Sequence, residues 1–179
     1  FRDEDDGFRV ASWFFTPQEE LRKKAEKEGV PYPHWAQEGF IEPTPGSVID
    51  QRAVEAKIRE LCETFDVREI AFDPWGAQVM QANLLEDGFP VVSMRQGWMT
   101  MGPAIKTLEG AILSRKFRHG GNPVLRMCFA NVAVVVDKAE NKSFHKFKST
   151  GRIDGAQAAA MAVHRASLGD SRRSVYESE

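Results

Sequence analysis

The chain has 179 residues, 42% apolar and 28% charged side chains, and a formal net charge of −2 at pH 7. That is room for one domain with a substantial core, and the composition excludes a disordered chain and a membrane-spanning helix. The small net charge hides an asymmetry: residues 1–93 hold 10 basic and 19 acidic side chains, residues 94–152 hold 11 and 3, and residues 153–179 hold 3 and 4. A basic segment of this kind is either the footprint of a polyanion partner or a solvated charged face.

In chain order, Phe8 to Phe15 is aromatic and β-branched and reads as a strand. Thr16-Pro17-Gln18-Glu19 predicts a helix start with a capping box, and that helix ends at Gly29. Pro31 to Gly39 reads as a loop, Gly39 to Glu42 as a short extended piece and Pro43 to Gly46 as a turn. Asp50 is placed to cap a helix over 51–65 with the inward stripe Val54, Ile58, Leu61 and Phe65. Strands follow at Glu69 to Asp73 and Pro90 to Met94, separated by a helix over 76–86 that Gly88 closes. Pro103 predicts a helix start, and Asn122 to Phe129 reads as helical. Val132 to Val136 and Ser143 to Phe147 form a hairpin around Lys138 to Asn141, and the last helix runs from Asp154 to about Ser167. The expected layout is one domain over 1–168 with a polar, frayed tail over 169–179. Strands alternating with helices predict a mixed α/β sheet flanked by helices on both faces.

Two aspartates carry the chemistry. Asp73 ends the apolar run Ile70-Ala71-Phe72, and ligands of such sheets collect beyond the carboxyl ends of strands. Asp-Pro can equally mean that a strand turns a corner. Asp154 opens the alanine-rich run of the last helix, where the macrodipole favours any carboxylate. If that helix packs on the sheet, both hard oxygen ligands meet at one spot. Such a pair can hold divalent cations, and two cations can cleave a phosphodiester. Lys142, Lys146 and Lys148 fall on one side of an extended strand, with Arg152 following, and could hold phosphates. Lysines protecting an edge strand are the alternative.

The other candidates are weaker. His119 sits in the glycine-rich stretch Arg118-His119-Gly120-Gly121-Asn122, where it could touch phosphate or serve the turn. His34, His145 and His164 have no metal-ligand spacing, and the hairpin turn accounts for Asp137. Cys62 and Cys128 read as buried thiols of a reducing cytoplasm, not as a disulfide or zinc site. No Walker-type phosphate loop occurs, so the sequence does not describe a nucleotide-driven motor.

Taken together, Trp13-Phe14-Phe15-Thr16-Pro17, Pro43 to Asp50, Ile70 to Trp75, Gln96-Gly97, His119 to Leu125, Asn131 and Ile153-Asp154-Gly155 resemble, in order, the nuclease domain of the large terminase subunit of tailed bacteriophages. The resemblance implies a ribonuclease H-like fold and metal-dependent cutting of concatemeric double-stranded DNA during genome packaging, in the cytoplasm of the bacterial host. It implies two divalent cations, Mg²⁺ or Mn²⁺, with Asp73 and Asp154 as the family's second and third acidic ligands. The implied partners are the terminase ATPase domain, the portal and the small terminase subunit. Members carry a first aspartate on an opening strand, upstream of a turn like Asp5-Asp6-Gly7. On this reading that strand is absent here, and Asp3, Asp5 and Asp6 do not replace it. The chain alone is then expected to bind metal weakly and cut DNA poorly. The rival from another class is a non-catalytic DNA-clamping or docking module of the same fold.

Overall fold

A computed structural model describes residues 1–2 and 5–169. In chain order they form β1 (Phe8–Arg9), β2 (Phe15–Pro17), α1 (Leu21–Glu28), α2 (Tyr32–Gln37), β3 (Glu42–Thr44), α3 (Gln51–Thr64), β4 (Ile70–Phe72), α4 (Gln78–Glu86), β5 (Val91–Ser93), α5 (Trp98–Leu113), β6 (Phe117–Arg118), α6 (Pro123–Asn131), β7 (Val134–Val136), β8 (Lys142–Phe144) and α7 (Asp154–Gly169). β1 pairs with β6, β2 with β3 and β4 with β5, all parallel, while β7 and β8 form an antiparallel hairpin. The mixed α/β arrangement expected from the sequence is therefore present, divided among these described residues into short two-stranded ladders. Beyond Gly169, the expected tail lies outside the described residues.

The core forms where α5 and α7 meet. Met101, Ala104, Ile105, Leu108 and Ala111 of α5 pack with Ala160, Met161 and Val163 of α7, joined by Phe8 and Met94. Spacings of three and four residues put the α5 side chains on one face, and Ala160 and Val163 on one face of α7. The alanines of α7 leave little bulk between the two backbones. Burying each large aliphatic side chain stabilises the fold by about 1.5–3 kcal/mol. A second cluster joins Tyr32 of α2, Ile41 and Val124 of α6, and Phe14, Leu21, Trp35 and Phe40 pack on it.

Several local expectations give way to tertiary pairing. The strand foreseen over Phe8 to Phe15 is two short strands, because Phe8 pairs toward Phe117 and Phe15 toward Glu42. Thr16 and Pro17 belong to β2, so the expected capping box does not form; α1 begins at Leu21 with no side-chain cap. Pro31 to Gly39 is mostly α2, since prolines are tolerated in a first turn and the burial of Tyr32 holds it there. α5 starts at Trp98, and Pro103 lies inside it. Met101, 2% exposed, shares the stripe of Ile105 and Leu108 and draws the extra turn into the core. Asp50 caps α3 as expected, its Oδ1 accepting from the Arg52 amide at 3.0 Å. Asn122 caps α6 in the same way, through the Val124 and Leu125 amides.

His164 links α7 to α5 and gives the fold a pH dependence. Thr107 Oγ1 donates to the Pro103 carbonyl, which leaves it to accept from His164 Nδ1 at 3.2 Å. Burial pulls the imidazole below its ordinary value, and Arg165 acts in the same direction. The folded state therefore binds fewer protons than the unfolded chain. This contribution is complete above the unfolded value of about 6.5 and is lost as pH falls from there through the depressed folded value. The thermal midpoint should fall on acidification through this window, and His164→Gln should flatten that part of the profile. An unchanged profile in the variant would remove His164 from the account.

Candidate active site at the carboxyl ends of β4 and β5

β4 and β5 run side by side, with Ile70 opposite Val91 and Phe72 opposite Ser93. The Met94 amide donates to the Phe72 carbonyl at 2.7 Å, so both chains leave the ladder at the same edge. Asp73 is the first residue past β4 and is half-buried. Its Oδ1 accepts from the Trp75 amide at 3.2 Å, and Gln81 donates to its carbonyl at 3.3 Å. The corner reading of Asp-Pro is thus real, but it engages only one carboxylate oxygen. Asp73 belongs to no ion pair among the described residues.

Three contacts fix the direction of α7. Arg165 pairs with Glu69, before β4, at 2.6 Å. Gln96, beyond β5, reaches Met161 Sδ at 3.3 Å and accepts from Gln157 at 3.0 Å. Moving up the strands, the partners on α7 descend from 165 to 157, so α7 runs antiparallel to both. Its first turn, with the exposed Asp154, lies at the carboxyl ends, the end that Asp73 occupies. The packing postulated from the sequence thus brings the two aspartates to one end of the fold.

The start of α7 is wedged tightly. Ile153 is 1% exposed, and a Cβ on Gly155 would lie 2.9 Å from the Phe14 ring and 3.1 Å from Cys128 Sγ. Burial raises the Cys128 thiol above its ordinary value, as expected of a buried, unpaired cysteine. Asn131, the last residue of α6, holds the approach to Asp154. Its Nδ2 donates to the Arg152 carbonyl at 3.1 Å and its Oδ1 accepts from Thr150 Oγ1 at 3.1 Å. Arg152 reaches Glu28 Oε1 at 3.3 Å, and the Tyr32 hydroxyl donates to Glu28 Oε2 at 2.6 Å. Burial pushes the Glu28 carboxyl up, but Tyr32 and Arg152 outweigh it and leave it below the ordinary value. Sequence reasoning missed Glu28, Tyr32 and Gln157 altogether. Gln96 and Asn131 stood in the resembling stretches without a role.

The remaining candidates fall in different places. β8 ends at Phe144, so Lys142, Lys146 and Lys148 do not form one strand face as expected. His145 turns the chain, its carbonyl accepting from the amides of Lys148 and Ser149 at 3.0 Å. Lys146 and Lys148 are exposed on that turn, whereas Lys142 is paired with Glu109 at 2.5 Å. His119 follows β6 and precedes the Gly120-Gly121 turn that leads into α6. Its Nδ1 is buried without a hydrogen-bond partner, and its ring packs on Phe117. Asp137 closes the hairpin turn, accepting from the amides of Ala139 and Asn141. Asp5 is engaged by Arg118, which holds its carboxyl down at about 2, and Asp6 pairs with Arg2; Asp3 lies outside the described residues. An apolar groove of about 430 Å³ between α5, α6 and the hairpin includes Lys142 but neither candidate aspartate. Among the described residues no three His, Cys, Asp or Glu side chains converge as a metal cluster.

The mixed α/β fold, with parallel ladders and α7 packed along β4 and β5, is that of a ribonuclease H-like nuclease domain. The chain belongs to the family described as terminase large subunit, endonuclease domain, whose model matches residues 1–170. It is 41% identical over 162 residues to the terminase large subunit of Enterobacteria phage HK97, covering 89% of this chain and 32% of that protein. It is 29% identical over 171 residues to Protein YmfN of Escherichia coli strain K12, covering 90% of this chain and 37% of that one. The crystal structure of the HK97 bacteriophage large terminase superposes with a TM-score of 0.85 at 38% identity, over 92% of this chain and 35% of that one. The chain thus spans about a third of the length of the relatives it matches.

Proposed function

We propose that this domain is an endodeoxyribonuclease that hydrolyses phosphodiester bonds of concatemeric double-stranded DNA during phage genome packaging, with Asp73 and Asp154 as its metal ligands. The observation that carries this reading is the antiparallel run of α7 along β4 and β5, which brings the two carboxylates to one end. The donor set fits Mg²⁺ or Mn²⁺. Both ions favour hard oxygen, and Mg²⁺ is commonly held by one or two carboxylates with water and substrate phosphate completing the shell. Two such cations, when bound, neutralise charge on the attacking and leaving oxygens of the phosphodiester.

The protein's own part is placement. Trp75 N–H fixes one oxygen of Asp73, and Asn131 fixes the backbone of the loop that delivers Asp154. Lys146 and Lys148, exposed and without an ion-pair partner among the described residues, bind backbone phosphates. Lys142 and Arg152 are each paired with a carboxylate, Glu109 and Glu28, and reach phosphate by exchanging that partner. Contacts limited to phosphate give low sequence specificity and a strong salt dependence. The proposed setting is the host cytoplasm, with an ATPase domain, the portal and the small terminase subunit as partners. Among the described residues no helix is long and apolar enough to cross a membrane.

The direct test is a manganese soak of crystals of the chain, read as anomalous scattering. Density between Asp73 and Asp154 is the expected result. Its absence at millimolar manganese both here and in the complete polypeptide that carries this chain, with DNA bound, would remove the metal assignment.

A further inference from the structure

Phe147 is 94% exposed, in the sequence Lys146-Phe147-Lys148. Exposed apolar side chains are common one at a time, but this one is set on a turn that is held rather than loose. The amides of Lys148 and Ser149 both donate to the His145 carbonyl at 3.0 Å, and Ser149 Oγ donates to the same oxygen at 2.9 Å. Ser149 Oγ also accepts from the Ala133 amide at 3.1 Å, and the Thr150 amide donates to the Asn131 carbonyl at 3.2 Å. The base of the turn is thus fastened to the end of α6, and Asn131 fastens the same segment again before Asp154. Lys146 and Lys148 have no ion-pair partner among the described residues. The molecule therefore presents an aromatic ring on an ordered support with a free ammonium on each side.

We infer that Phe147 is an apolar wedge that enters the minor groove of double-stranded DNA, with Lys146 and Lys148 on the flanking phosphates. An apolar side chain inserted at a base step unstacks and bends the duplex, and neighbouring cations on the phosphates hold the protein there. A protein partner would be suited by the ring, but two unpaired ammonium groups beside it favour a polyanion. This inference rests on the DNA-cutting reading of the site and adds how the duplex is held. It assigns Phe147 to binding and leaves the carboxylate chemistry to Asp73 and Asp154.

The test measures binding of the full chain to a fluorescent duplex carrying 2-aminopurine, in EDTA so that no cleavage occurs. Phe147→Ala should weaken binding about tenfold or more, the scale of one aromatic–base contact, and abolish the 2-aminopurine rise that reports unstacking. It should leave the salt slope unchanged, because no phosphate contact is lost. Phe147→Leu should keep most of both signals, since leucine also serves as a wedge. Replacing Lys146 and Lys148 with alanine should lower the salt slope by roughly two. Unfolding midpoints of all variants should match the parent, as these side chains are exposed. Wild-type chain that binds DNA while Phe147→Ala matches it in affinity and fluorescence overturns the wedge alone. Wild-type chain that binds no DNA even at low salt overturns the DNA reading beneath it, and the wedge with it.

Discussion

Asp154→Asn should lower cleavage by at least about 10²-fold while leaving DNA affinity within about twofold, the scale of loss expected when a metal ligand is removed from a site of this kind. The substitution is nearly isosteric and takes away one negative charge. Asp154 is exposed and holds no ion pair among the described residues, so the fold loses only its favourable interaction with the α7 macrodipole, about 0.3–1 kcal/mol. Asp73→Asn should behave alike, because an asparagine Oδ1 can still accept from the Trp75 amide and keep the turn. The measurement is nicking of supercoiled plasmid with Mg²⁺ or Mn²⁺, made on the complete polypeptide that carries this chain, with affinity read by anisotropy. Cleavage that survives both substitutions would break the assignment. Loss of DNA binding together with cleavage would point to a role for Asp154 in holding the fold.

Gly155→Ala should destabilise the chain by about 1–3 kcal/mol, the usual cost of overpacking a tight site. Two effects oppose each other. Alanine is favoured over glycine within a helix by roughly 1 kcal/mol. Against this, the new Cβ would sit 2.9 Å from two atoms of the Phe14 ring and 3.1 Å from Cys128 Sγ. With contacts on two sides, a shift away from one drives the methyl toward the other, so the steric cost wins. At 179 residues this corresponds to a fall in melting temperature of about 2–4 °C for each kcal/mol. Asp154 is the neighbouring residue, so the strain should also reduce cleavage beyond what stability explains. Phe14→Leu in the same chain should recover part of the loss, because it removes the ring edge. No recovery in a double-mutant cycle would show that the ring is not the obstacle.

The helix caps and glycine stops were legible because they are local. Asp50 and Asn122 cap α3 and α6 through their own side chains, and Gly29 and Gly88 adopt the left-handed conformation that closes a helix. Asp73 stood out because its carboxylate follows a short apolar run, and Asp154 because it opens a helix. Where the reading failed, a neighbour far along the chain had decided the matter. Thr16-Pro17 looks like a helix start until Pro43-Thr44 arrives beside it as a strand. The lysines of the hairpin looked like one row because a strand was extended past Phe144, where His145 gathers the chain into a turn.

The sequence by itself determined the α/β class and the family pattern and singled out the two aspartates as candidates, since periodicity, capping chemistry and motif order are all written in short stretches. Only the tertiary structure decided that these aspartates share one end of the fold. The Arg165–Glu69 and Gln157–Gln96 contacts set the direction of α7, and each joins residues more than 60 positions apart. It also decided that Lys142 is occupied by Glu109 while Lys146 and Lys148 have no ion-pair partner among the described residues and Phe147, whose ring meets that of His145 in a T-shaped contact, is 94% exposed. Direction and availability depend on which distant side chains come within a few ångströms, and no local window contains that information.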